Sequence, residues 1–167
     1  MVSWSFDMSW LQKWVDRVFK LEIIKSGDNC PPYMFRWWLT TWFGWKVYLH
    51  HFVGDDAARD LHDHPRRFIS IGLWGRYVEE TPFRDQHGGE STVLVDKRLY
   101  VAPWWRSFSP EHRHRIVMAP KPGRKPSCWT LVLVGPLERE WGFWVRGKFI
   151  RWDIYENAPA GEYTRDC

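Results

Sequence analysis

Cysteine is scarce in this chain, with three residues, Cys30, Cys128 and Cys167, among 167. No CxxC pair occurs, which excludes zinc-finger spacing and a thioredoxin-type redox motif. An odd, scattered set without a signal peptide leads us to expect reduced thiols in a cytoplasmic protein. Long apolar runs are missing too. No stretch approaches the ~18 residues of a membrane-spanning helix, so no membrane partner is expected. There is no glycine-rich phosphate cradle and no serine-nucleophile elbow, and no carboxylates pair convincingly for acid/base work. Nor is charge of one sign concentrated: 24 Lys and Arg against 20 Asp and Glu leave a net +4. That mild excess argues against a nucleic-acid polymer as partner. It suits a small anionic ligand, although a solvated surface slightly rich in Arg is the plainer account.

What the chain has in abundance is aromatic surface: 14 Trp, 10 Phe and 6 Tyr, or 18% of residues. Each aromatic buries a large area, so a few of them fill a small barrel. One or two could instead stack on a base, sugar or planar ligand. Residues 4–24 read as one amphipathic helix, with Trp10, Leu11, Trp14, Val15, Val18 and Phe19 at helical spacing. We expect it to pack on the rest of the fold and not on a membrane. After the break at Ser26–Pro32 the period shifts toward two. Strands are expected at 33–43, 46–53, 67–80, 91–95, 98–102, 114–118, 128–134, 141–146 and 148–153. Many short strands behind one helix predict a mainly β protein, an antiparallel barrel or jelly roll with an N-terminal amphipathic helix. One domain, 1–167, is expected: helix and lead-in strand over 1–45, barrel over 46–153, and a C-terminal arm over 154–167, of which Glu156 to Cys167 lie on the surface.

Two short motifs carry the chemistry. Leu61-His62-Asp63-His64-Pro65 runs into the apolar stretch from Phe68 to Gly75, and Glu111-His112-Arg113-His114-Arg115-Ile116 begins another apolar run. Histidines two apart on a strand share a face, because successive side chains alternate across it. Each pair is half of a metal site if the fold brings them together. His62 and His64 are the first candidates, with either His112 or His114 as the third. The structural alternative is that these imidazoles only hydrogen-bond within a polar barrel mouth. His50, Asp60 and Asp63 could add a further ligand. His51 and His87 read as ordinary surface or loop residues, and Cys128 as a buried inert thiol. Arg66, Arg67, Arg113 and Arg115 flank the histidines, and an inward guanidinium would clamp a carboxylate or phosphate bidentately. Arg67 and Arg115 are assigned that catalytic role. Arg139 and Glu140, beside Trp141, are expected to form an ion pair at a sheet edge.

With these residues in view, the chain resembles the cupin superfamily. In that family a first motif has His-x-His, an acid four residues after the second histidine, and a glycine seven further on. His62, His64 and Gly75 match, whereas Phe68 stands at the acid position. A second motif supplies one more histidine, which His114 or His112 would provide. Tyr48-Leu49-His50, His114-Arg115-Ile116, Trp129-Thr130-Leu131 and Glu140-Trp141-Gly142-Phe143 also resemble small, mostly uncharacterised cupin-type proteins of bacteria and their phages. The resemblance implies a cupin-like barrel. It also implies a three-histidine centre similar to that of thiol dioxygenases, for a transition metal with Fe(II) favoured and Zn(II) or Mn(II) as alternatives. The activity it implies is oxygenation of a small or anionic substrate. The alternative is a non-catalytic barrel that binds a nucleotide-like ligand, as in a phage protein sequestering a nucleotide signal. A third is an assembly component that forms homo-oligomers.

Overall fold

The computed structural model describes residues 9–25, 30–56, 60–158 and 163, and within them not the side chains of 9–12, 16, 92 and 93. Helix α1, Ser9–Val18, lies on a sheet and buries Val15 against Trp37, Leu49 and Trp129. The helix expected over 4–24 is shorter at its C-terminal end, and residues 4–8 lie outside the described residues. Lys20–Lys25 is strand β1, paired antiparallel with β2, Pro32–Trp42. The β-branched pair Ile23-Ile24 suits a pleated surface better than a helix. A cross-strand ion pair between Glu22 and Arg36, at 2.6 Å, adds to the strand pairing.

β2 turns back into β3, Trp45–Phe52, through Phe43 and Gly44, both at positive φ (47° and 77°), as a two-residue hairpin requires. β3 pairs with β9, Cys128–Val134, and β9 with the first half of β5, Phe68–Arg84. β5 then changes sheets. Through residue 75 it pairs β9 and β7, Trp104–Phe108; from Arg76 it pairs β6, Glu90–Val101, and β8, Arg115–Met118. The change falls at Gly75, where φ is +87° and a Cβ would lie 2.0 Å from the Ser127 carbonyl oxygen, so only glycine fits. A small three-stranded sheet joins β4, Leu61–His62, to β10, Gly142–Val145, and β11, Lys148–Arg151.

The mainly β, antiparallel expectation holds, with corrections. One strand, β6, replaces the two expected at 91–95 and 98–102, and β4 and β7 were not anticipated. The last strand ends at Arg151, and Trp152–Asn157 forms helix α2. Tyr155, just before the expected surface segment, is 1% exposed and stacks on Phe143 at 3.9 Å. Cys30 is disulfide-bonded, which corrects the expectation of reduced thiols; separation in sequence does not report distance in space. Cys128 is a free, buried thiol, as expected. Among the described residues no helix is long and apolar enough to cross a membrane.

The β2–β3–β9 layer has two different faces. Outward, Trp37 and Trp129 stack at 5.5 Å under α1. Inward, Arg36, His50, Phe52, Thr130 and Val132 line a cavity of about 1040 Å³.

Candidate metal centre

The cavity's histidines are brought together by backbone pairing. His62 ends β4 and forms a bridge with His114: each main-chain N–H donates to the other's carbonyl at 3.0 Å. Residues opposed in this way present their side chains on one face. The His64 N–H donates to the Pro110 carbonyl at 2.9 Å, which turns its ring onto the same spot. His64 Nε2 lies 3.0 Å from His114 Nε2, and the ligand atoms of His62, His64 and His114 all fall within 4.8 Å of one another.

Glu79, on β5, organises the rest and was not singled out in the sequence. It is 2% exposed, and its Oε1 accepts from His114 Nδ1 at 2.8 Å and from His112 Nε2 at 2.9 Å. Its Oε2 accepts from Arg106 at 2.6 Å. Burial alone would raise the Glu79 carboxyl, but the bonds from His112 and His114 and the Arg106 charge hold it far below the usual range. A carboxylate can only accept, so His114 Nδ1 donates to Glu79 and Nε2 is the nitrogen turned toward His64. Burial, followed by the neighbouring imidazoles, lowers His62 to about 3 and places His64 well below its ordinary value. His62 and His64 are therefore held as neutral imidazoles, the form that ligates a metal.

These residues fit a transition-metal ion. Two nitrogens bound at ~2.0–2.1 Å about a right angle are roughly 3 Å apart, which matches the His64–His114 separation. The buried carboxylate behind His114 is the partner that metal-bound imidazoles usually have. Phe68, at the position where the resemblance would put an acid, instead meets the His64 ring edge-on at 4.7 Å and stacks on Phe108 at 4.5 Å. It contributes an apolar wall and no ligand.

The other candidates fall into place around this core. His112 leaves the strand geometry expected of it and lies in a turn, where it braces Glu79; with Glu79 and His114 it forms a second group of closely spaced ligand atoms. Arg67 and Arg115 do not line the cavity. Arg67 is exposed and bidentate to Glu138, and Arg115 bonds Glu80, which also pairs with Lys97. Arg115 lies on β8 opposite Glu80, and Arg67 lies in the segment before β5, so neither guanidinium faces the cavity in which a catalytic role was expected of it. Arg66 does line the cavity and donates to the Gly135 carbonyl at 2.9 Å.

Asp63, fully buried, accepts from the Gly142 N–H at 2.8 Å and pairs with Arg139, so it fastens β10 and is no ligand. Asp60 accepts from the Tyr155 hydroxyl. The expected Arg139–Glu140 pair is replaced by Arg139–Asp63 and Arg151–Glu140. His51 is no surface residue: it stacks on Trp129 at 4.1 Å and bonds Ser127 Oγ at 2.9 Å. Arg113 pairs with Glu90 and lies over the Trp144 ring.

The class these features define is a mainly β, antiparallel, cupin-like barrel with a histidine cluster in its cavity. No family model and no curated protein matches the chain. Among solved structures, it is similar to a cupin-2 domain from Rhodospirillum rubrum at 17% identity, over 73% of this chain and 72% of that one, with a TM-score of 0.48. It is similar to the DMSP lyase DddQ from Ruegeria pomeroyi at 15% identity, over 75% and 60%, with a TM-score of 0.49. Hydroxypropylphosphonic acid epoxidase from S. wedmorenis is similar at 12% identity, over 69% and 55%, with a TM-score of 0.46. The chain thus spans little more than half the length of that epoxidase.

Proposed function

We propose that this chain is a metal-dependent enzyme of the cupin type, an Fe(II) oxygenase acting on a small anionic molecule. The observation that carries this reading is the convergence of His62, His64 and His114 on one point, with His114 Nδ1 anchored by a buried carboxylate. Three imidazole nitrogens would leave coordination positions open, and iron held there would supply Lewis acidity and a place for oxygen or substrate.

The chain's own residues do the remaining work. Glu79 keeps the His114 proton on Nδ1 and fixes the ring plane. Phe68 and Phe108 keep water from the His64 side of the cluster. Arg36, Lys46 and Arg66 line the same cavity and favour a negatively charged guest. The cavity volume, about 1040 Å³, lies just above the ~300–1,000 Å³ typical of small-molecule sites.

Elemental analysis of the purified protein beside a His62→Ala/His64→Ala variant tests the reading. Near-stoichiometric iron that disappears in the variant is the expected result. A wild-type protein that stays metal-free after anaerobic reconstitution with Fe(II), Mn(II) or Zn(II) would overturn it. The reading would then move to ligand capture without turnover, which the unpartnered donors on the opposite cavity wall favour.

A further inference from the structure

Arg36, His50, Thr130 and Gly72 form a row across four neighbouring strands, each opposite the next in register. Residues directly opposite share a face, and His50 and Thr130 line the cavity, so the row is part of its wall. Three buried polar atoms along the row have no partner: His50 Nε2 and Thr130 Oγ1, on residues that line the cavity, and the indole Nε1 of Trp104, which packs over Gly72. Trp104 joins the row because Gly72 has no side chain. A Cβ at position 72 would lie 2.3 Å from the indole ring and 2.4 Å from its Nε1. Thr130 is 1% exposed.

A buried donor left unmade costs ~1–3 kcal/mol, and three in one row are hard to reconcile with a wall that stays empty. All three can donate. Burial and the Arg36 charge lower His50 to about 3, so its ring is neutral and Nε2 is free to carry a proton. A guest with several acceptor oxygens and negative charge satisfies the two on cavity-lining residues. An amine would find no acceptor at the indole, and Arg36, Lys46 and Arg66 would repel its charge.

We infer that this row binds the oxyanion group of the molecule that enters the cavity, a carboxylate, phosphonate or phosphate. The Thr130 hydroxyl and His50 Nε2 donate to its oxygens, and Lys46 and Arg66 offset its charge. The inference rests on the cavity being the working site proposed above, but not on the metal.

Calorimetric titration with succinate, methylphosphonate and inorganic phosphate tests it. The proteins are wild type, His62→Ala/His64→Ala, Thr130→Val and His50→Gln, with iron content and thermal midpoint measured on each. Wild type is expected to bind one probe with a Kd at or below about 1 mM. The probe that binds identifies the oxyanion. Thr130→Val is close to isosteric and removes an unpaired hydroxyl, so its thermal midpoint should hold or rise while affinity falls roughly tenfold. His50→Gln keeps an N–H donor and retains binding within about threefold. The double histidine variant binds the probe without iron, which separates this site from the metal reading. Failure of all three probes on wild type would overturn the inference. So would Thr130→Val affinity equal to wild type, because the row would then hold only water. Either failure with iron still bound would leave the metal reading standing.

Discussion

Two walls of one cavity differ in how their polar groups are satisfied. On the Glu79 side His112, His114 and Arg106 all reach one carboxylate, and both of its oxygens are used. On the β3–β9 side His50 Nε2 and Thr130 Oγ1 have no partner at all. Buried polar networks rigidify when complete, whereas unmade bonds wait for something to complete them. The first wall is therefore built to hold its own side chains still, as a metal centre needs. The second is built to receive. The proposed chemistry needs both, with a fixed reactive point facing a docking surface that only a guest satisfies.

The strongest way to break this contrast is Glu79→Gln. An amide cannot accept in the same way from three donors, and Arg106 loses its charge partner. We expect destabilisation of about 3–5 kcal/mol by urea unfolding, the usual cost of breaking a buried pair from one side. Metal affinity should fall by roughly 10–100-fold in a chelator competition, since the carboxylate behind His114 is lost. Unchanged affinity would mean that the two features are independent.

Acid is the next largest perturbation. Burial holds His50 at about 3 and His51 at about 4, below the ordinary 6.5. Between 6.5 and those values the unfolded chain binds protons that the folded chain refuses, so stability falls as pH falls through that window. Asp56, raised by burial, works in the opposite direction. Below 4.5 Glu80 adds to the loss. Burial would raise its carboxyl, but bonds from Lys97 and Arg115 hold it down, so its contribution vanishes as it protonates. Urea midpoints for the chelator-treated protein should drop from pH 7 to pH 5. A flat profile would show that these imidazoles are hydrated.

The smallest effect is expected at Arg67. It is exposed and faces Glu138 outside the cavity, so Arg67→Ala should change neither iron content nor probe affinity. A loss of either would restore it to the site and redraw the boundary between wall and surface.

Much of the fold was legible because strand patterning is local. The turn at Arg146-Gly147 and the alternation along β3 follow from neighbouring residues, whereas the expected strand 33–43 ran through Phe43, which belongs to the hairpin turn. The Lys20–Lys25 strand was misread because Val18 and Phe19 continue a helical spacing from Trp14 and Val15. Only pairing with β2 decides otherwise. His62 and His64 could be paired from spacing alone. Glu79 could not, since nothing in Tyr77-Val78-Glu79-Glu80 distinguishes the carboxylate that meets His114 from the one that meets Arg115.

The sequence by itself determined a mainly β chain, its principal turns and a histidine pair on one face. These depend on φ, ψ and side-chain alternation over a few residues. The tertiary structure alone decided that His114 and not His112 joins that pair, that Arg36 and Arg66 line the cavity, and that Arg67 and Arg115 do not. The reason is register. Once β5 changes sheets at Gly75, which face is interior is set by partners far away in sequence, and local pattern carries no information about them.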